Sequence, residues 1–360
     1  MAPGISKSKI VYMALCAAIL VSLYSHWMVF DKWIAPTYGN VGIHLATARH
    51  VIEHGEYPLN DYSYGGNVPS LYVPIFRVNL ASIAMLTGLS LDLVARLTVL
   101  VMAILLPLGF FLLARRLFGD VAGAFAAFLS LLPAELLIYT VRPLPQGLGL
   151  VLLPIAFYLV LKENRIAALV AAFGVAWVHQ EALLFYVAVV GAFGVVKGVE
   201  FLWKRRDAAK NAAVLALACA ALATAAYLAW HFFMVGNIAV WELAQFKHHE
   251  GGVVSFEGIA DKTGAVVTAL SIVGLIFLAY GIFEKYKARK QAAKPATDFT
   301  TEEFALTALA VGLLLVKNDV LGVQVFMDRF IVYLNEAMIP VAALGAAKLV
   351  ETALGISRRP

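Results

Sequence analysis

Charge is scarce in this 360-residue chain. Asp, Glu, Lys and Arg together make up 14% of it, while apolar residues reach 62%. A water-soluble fold of this length could not hide so much apolar surface, so part of its solvent must be lipid. Cysteine is scarcer still. Cys16 and Cys219 both lie inside apolar runs, which argues against a structural disulfide and leaves the redox compartment unread. Nucleotide-binding patterns are missing too. No G-x-x-x-x-G-K-S/T and no strand-led G-x-G-x-x-G occurs, which disfavours an ATP-driven pump, and no nucleic-acid partner is expected.

Long apolar runs are what the chain does have. They fall at roughly 10–30, 90–115, 121–139, 144–162, 165–179, 180–203, 209–234, 264–285, 303–317 and 329–354. The pattern predicts an all-α polytopic bundle of about ten spans, forming one membrane domain over 1–360. The runs at 165–179 and 303–317 are short enough to be tilted, broken or partly re-entrant. The first run follows a basic start and is longer than a signal-peptide core, so it reads as a retained helix. Residues 31–89 form a long first external loop, and 236–263 form a second. Within the first loop, 41–55 has helical spacing of Ile43, Ala46, His50 and Val51. The stretch "PIFRVNLASIAMLT" at 74–87 is amphipathic and opens on proline. Both segments read as interfacial helices lying on the membrane.

Basic residues cluster on one side of this arrangement, at Lys7 and Lys9, Arg115 and Arg116, Lys162 and Arg165, Lys204–Arg206, Lys285–Lys290 and Arg358–Arg359. By the positive-inside rule that side is cytoplasmic, and an even number of spans places both termini there. All eight histidines fall in outer loops or outer helix ends, as do Asp92, Glu135, Glu181, Asp319, Asp328 and Glu336. The inner loops are short and basic, and no organised polar cluster is expected among them. Chemistry, on this reading, faces outward.

Ionisable groups near the ends of spans are costly in lipid and tend to line water-filled cavities. The candidates are Arg77, Asp92, Arg96, Arg142, His179, Glu181, Lys317, Asp328, Arg329 and Glu336. Each has a structural alternative, such as Arg96 pairing with Asp92 at i, i+4. Guanidinium groups bind phosphate through paired hydrogen bonds, and carboxylates and histidines beside them suit proton transfer. Together they describe a site that holds a phosphate-bearing donor and deprotonates an acceptor, with a lipid carrier arriving along the 74–87 helix. His50 and His54 share a helix face, and "HHE" occupies 248–250. A divalent metal is therefore open as a cofactor, although no third ligand stands at diagnostic spacing.

Taken in order, the segments resemble a known plan. A basic-led span precedes "EYPLNDYSYGGNVPSLYVPIFRVNLASIAMLTGLSLDLVARL", then come "LLARRLFGDVAGAFAAFLSLLPAELL", "VRPLPQGLGLVLLPIAFYLVL" and "HQEALLFYVAVV", and "DRFIVYLNEAMIPVAALGAAKL" closes the series. The chain resembles the GT-C superfamily of polytopic membrane glycosyltransferases over about nine tenths of its length. The resemblance implies a polyprenyl-phosphate-linked sugar donor, membrane-lipid contacts and an active face outside the cytoplasm. It matches His44 to the histidine of the first outer loop, Tyr72, Pro74 and Phe76 to the start of the horizontal helix, and His179 and Glu181 to an outer H-x-E turn. Arg329 matches a late arginine near the donor phosphate. The tryptophan-aspartate signature of oligosaccharyltransferases is missing, which speaks against protein asparagines as acceptors.

One position departs from the pattern. Four residues before the matched histidine the family commonly carries an Asp as catalytic base, and here that residue is Asn40. An amide has no useful proton affinity and cannot serve as a general base. The base then passes to Asp31, Asp61, Asp92 or His44, while Asn40, Arg77, Arg96, Arg142, His179, Glu181, Lys317 and Arg329 contact substrate. Two other readings stand beside this one. One is a non-catalytic sugar-lipid-binding scaffold or subunit of a membrane complex. The other is a secondary transporter, for which no internal repeat is visible.

Overall fold

The computed structural model describes residues 7–32, 39–60, 70, 72–235, 253–291, 300–322 and 327–355. Among them the regular elements are helical, apart from an isolated bridge at Asn60. They are α1 (Lys7–Lys32), α2 (Gly39–His54), α3 (Ile75–Thr87), α4 (Leu91–Phe118), α5 (Asp120–Leu129), α6 (Ala134–Thr140), α7 (Pro145–Leu161), α8 (Arg165–Val178), α9 (Gln180–Lys204), α10 (Asp207–Val235), α11 (Phe256–Thr263), α12 (Ala265–Gln291), α13 (Thr300–Val316) and α14 (Met327–Ala353). A 3₁₀ turn spans Asn318–Leu321.

Each apolar run forms helix, but the breaks follow local chemistry rather than bilayer length. Leu132 precedes Pro133, and a residue before proline is pushed out of the α region. The run at 121–139 is accordingly two helices, α5 and α6, bent by 75°. Pro143 and Pro145 end it, and Pro145 starts α7, where its missing N–H costs nothing. By length and composition six helices among the described residues can cross a membrane, or seven with the bent pair. Helices α7 and α8 are shorter. The protein is an integral membrane protein.

Helix α14 is the axis of the bundle. It is buried without interruption from Phe330 to Ala347 and packs on α4, α5, α12 and α13. The most apolar windows of α1 and α12 are only 28% and 22% buried, so these two helices form the rim. Close approach of α12 to α14 depends on two glycines. A Cβ on Gly274 would collide with the Val341 carbonyl oxygen, and one on Gly345 with that of Leu270. In lipid the helices gain little from hydrophobic burial, so this backbone proximity and its dispersion contacts hold the pair. The Ser271 hydroxyl adds a hydrogen bond to the Met338 carbonyl at 3.1 Å.

The expectation of no organised polar cluster on the basic side is corrected by the fold. Lys197, almost fully buried on α9, lies 2.9 Å from Glu200 and 2.6 Å from Glu303 of α13. Lys204 and Arg206 also reach Glu200, and Lys285 of α12 meets Glu302 at 2.6 Å. Glu302 and Glu303 stand in the first turn of α13, where a helix N-terminus favours negative charge. The cluster was hidden because its members come from three helices far apart in sequence.

Candidate functional site

At the other end of the bundle two polar groups assemble, and the first is built by α2 and α3. Pro74 leads into α3 and Gly88 ends it in the left-handed region at φ 69°. One face of α3, carrying Phe76, Arg77, Leu80, Ala81 and Ala84, is buried, while Ile83, Met85 and Leu86 point away exposed. Arg77 is 1% exposed, which is unusual for a cation. Its Nε donates to His44 Nδ1 at 2.9 Å, and its Nη1 donates to the Tyr57 hydroxyl at 2.9 Å and to the Ser70 hydroxyl at 3.4 Å. The guanidinium also lies 4.7 Å from the Tyr72 ring centre. Its Nη2 is buried and has no hydrogen-bond partner.

This geometry fixes the state of His44. An Nδ1 that accepts from Arg77 carries no proton, so the neutral ring bears its hydrogen on Nε2. Burial, then the positive charge of Arg77, then the neighbouring His179, hold the His44 pKa well below the usual histidine value. His44 is thus a neutral donor through Nε2. The effect of His179 on it also places the second group close by.

That second group forms where α8 gives way to α9. His179 takes an extended conformation, φ −159° and ψ 134°, and turns the chain between the two helices. Its Nδ1 lies 3.1 Å from the Tyr333 hydroxyl of α14. Glu181, 3% exposed in the first turn of α9, accepts from Arg329 Nη1 at 2.9 Å and from the Gln146 amide at 3.2 Å. Arg329 keeps 43% of its side chain exposed. The carboxylate thus holds the guanidinium in place, with part of the Arg329 side chain open to solvent.

The other expected residues are dispersed. Asn40 is exposed in the first turn of α2, and Asp92 is exposed in the first turn of α4. Arg96 and Arg142 are half-buried. Lys317 donates to the Val254 carbonyl at 2.9 Å and to Asp319 at 3.0 Å, so it anchors the approach to α11. Asp328 is exposed, whereas Glu336 is buried inside α14 with neither carboxylate oxygen hydrogen-bonded. Asp31 belongs to the last turn of α1, and its side chain falls outside what is described. Asp61 and His248–Glu250 lie outside the described residues.

Tyr57, Ser70, Gln146 and Tyr333 join the site without having been singled out from sequence. Tyr333 was within reach of pattern reasoning, because it follows Arg329 by four residues and so shares its helix face. Among the described residues no three His, Cys, Asp or Glu side chains converge to hold a metal ion. His50 and His54 stack at 4.2 Å, but His54 Nδ1 is bonded to the His50 carbonyl. In the two polar groups Nδ1 of His44 is bonded to Arg77, Nδ1 of His179 lies against Tyr333, and the Glu181 carboxylate is bonded to Arg329. The described residues do not fit a divalent cation, and no chemical step below uses one.

The site thus stands at one end of a helical membrane bundle, where the turn carrying His179 and Glu181 faces Arg329. Comparison with known proteins agrees at the level of fold. No protein-family profile and no curated sequence matches the chain. Among solved structures it resembles the oligosaccharyltransferase of the archaeon Archaeoglobus fulgidus. Against the crystal structure tethered with an acceptor peptide containing the NVT sequon, the TM-score is 0.63 at 14% identity, covering 98% of this chain and 51% of that one. The apo form gives 0.60 at 13% identity, with 98% and 53% covered. The complex with an inhibitory peptide and a dolichol-phosphate gives 0.53 at 15% identity over the same shares. The chain spans about half the length of these structures, and what it shares with them is the fold.

Proposed function

We propose that the chain is a membrane glycosyltransferase that moves a sugar from a polyprenyl-phosphate-linked donor to an acceptor on the extracytoplasmic face. The observation that carries this reading is the Glu181–Arg329 pair at the α8–α9 break, with Arg329 half open, set in a GT-C fold. Supporting it, a structure of the Archaeoglobus fulgidus oligosaccharyltransferase, which has a similar fold, contains a dolichol-phosphate. On this reading the ten apolar runs are ten passes, α2 and α3 lie along the outer membrane surface, and both termini are cytoplasmic.

In the transfer, the acceptor nucleophile forms a bond to the anomeric carbon while the bond from that carbon to the phosphate oxygen breaks. The electron pair leaves with the phosphate, and the acceptor proton passes to a base. Arg329, held by Glu181, meets the charge that grows on the leaving oxygen, and such donors lower a barrier most when already in place. His44 donates through Nε2 and so positions rather than deprotonates. The base is a carboxylate, for which Asp31, Asp61 and Asp92 are the candidates.

A second reading rests on Asn40, an exposed amide where the resemblance leads one to look for a carboxylate. In it the protein binds the sugar-lipid without turnover, as a subunit of a membrane complex. Purified protein incubated with a radiolabelled polyprenyl-phosphate sugar, and with sequon peptides, lipids and sugars as acceptors, separates the two. Release of the carrier that disappears in Arg329→Ala supports transfer, and binding without release supports the scaffold. Uptake of a solute into proteoliposomes, with neither, would make the protein a transporter and sink both.

A further inference from the structure

The two arginines of the site are not electrostatically equivalent. Arg329 meets the buried carboxylate of Glu181 at 2.9 Å, so that pair brings little net charge. Arg77 is more deeply buried, and among the described residues no Asp or Glu lies within ion-pair distance of it. Its partners are the neutral His44 ring, the hydroxyls of Tyr57 and Ser70 and the face of Tyr72. Removing a guanidinium from water without a counter-charge is strongly unfavourable, and leaving one of its donors unmet adds to that cost. The surroundings select for this state. Nε and Nη1 are fixed by three neutral acceptors, which orient the fork without neutralising it, and Nη2 is left with no partner. Such an arrangement is completed by an anion.

We infer that Arg77, oriented by His44 and Tyr57, is the primary oxyanion-binding residue of the site and takes the phosphate of the lipid carrier, while the Glu181–Arg329 pair acts on the leaving oxygen. The inference rests on the proposed function for the identity of the ligand, and it reverses the order that the resemblance implies, in which the late arginine holds the phosphate. A phosphate oxygen at Nη2 would supply the missing acceptor and cancel the buried charge. The exposed apolar edge of α3, formed by Ile83, Met85 and Leu86, gives the polyprenyl chain a lipid-side path to that position.

Binding of a radiolabelled short-chain polyprenyl phosphate to the full-length protein in detergent micelles tests the assignment. Arg77→Gln should weaken binding by roughly tenfold to a hundredfold, the range expected for a lost charged hydrogen bond. Arg77→Lys should lose less, because it restores the charge but not the fork. The double substitution Glu181→Gln with Arg329→Gln removes two charges that cancel, and it should cost less than Arg77→Gln alone. Inorganic phosphate as competitor identifies the source of the anion. Competition that Arg77→Gln abolishes shows recognition of phosphate itself, and absence of competition shows that the lipid headgroup is required; both support the site. Should Arg77→Gln lower the unfolding temperature, the shift induced by the lipid phosphate decides. Loss of that shift in folded variant supports the proposal, and a preserved shift overturns it. Equal affinities across the variants, or a larger loss in the double variant, also overturn it. Binding that depends on Arg77 without any sugar transfer would leave the inference standing and remove the glycosyltransferase reading.

Discussion

The two ends of the bundle spend their charges differently. At the basic end, Lys197, Lys204, Arg206 and Lys285 each meet a carboxylate, and Glu200 alone serves three of them. At the other end, Arg77 is buried against neutral partners and Arg329 stays half open beside Glu181. Both ends place ionisable groups where they are expensive. At the first the expense is offset inside the protein, and the charges tie α9, α12 and α13 together. At the second, Glu181 offsets Arg329, but the charge of Arg77 meets no carboxylate among the described residues. That difference, rather than the count of ionisable residues, is why we assign the function to the second end.

The sharpest way to break the comparison is at Lys197. Lys197→Met leaves two carboxylates facing a buried apolar chain and should cost ~3 kcal/mol of stability. Thermal unfolding in detergent measures it, and the rate per folded molecule should stay unchanged at permissive temperature. A lost rate with unchanged stability would move function to the basic end. Arg329→Ala should do the reverse and lower sugar transfer about a hundredfold. Single-turnover release of labelled carrier reads this out, and a rate within about threefold of the parent would remove Arg329 from the chemistry.

A smaller effect follows from His44. Its folded pKa lies well below the ordinary 6.5, so the unfolded chain binds the proton more readily. The stability this represents is complete above about pH 6.5 and is lost as pH falls from there toward the lowered folded value. His44→Gln should flatten that acid limb in unfolding scans between about pH 8 and about pH 5. An acid limb as steep as the parent's would assign it to other groups. The smallest expected change is at Asn40. Asn40→Asp should alter the transfer rate by less than about threefold if the base lies elsewhere. A gain of tenfold or more would show that the amide had cost the protein its base.

Much of the fold could be read from residue order. The apolar runs became helices, Pro133 and Pro143 set breaks, and Pro74 opened the amphipathic α3. Span counts were less legible, because composition registers that a segment is apolar but not that Leu132–Pro133 bends it by 75°. The site was partly legible. Arg77, His179, Glu181 and Arg329 were singled out by chemistry and His44 by the resemblance, and they gather into two neighbouring groups. Asp92 and Lys317 carried equal weight in the sequence, yet one is exposed and the other is bound to Asp319 and Val254.

Sequence by itself determined that this chain lives in lipid, that it is helical, and which few charged residues lie beside its apolar runs. All of that follows from transfer free energies and local backbone preferences, which are properties of neighbouring residues. Tertiary structure alone decided which charges are paired. Lys197 finds Glu303 across more than a hundred residues, and Arg329 finds Glu181 across 148. Arg77 finds a histidine and two hydroxyls but, among the described residues, no acid. Coulomb energy and desolvation depend on distance in space and on burial, and neither quantity exists until the helices have packed.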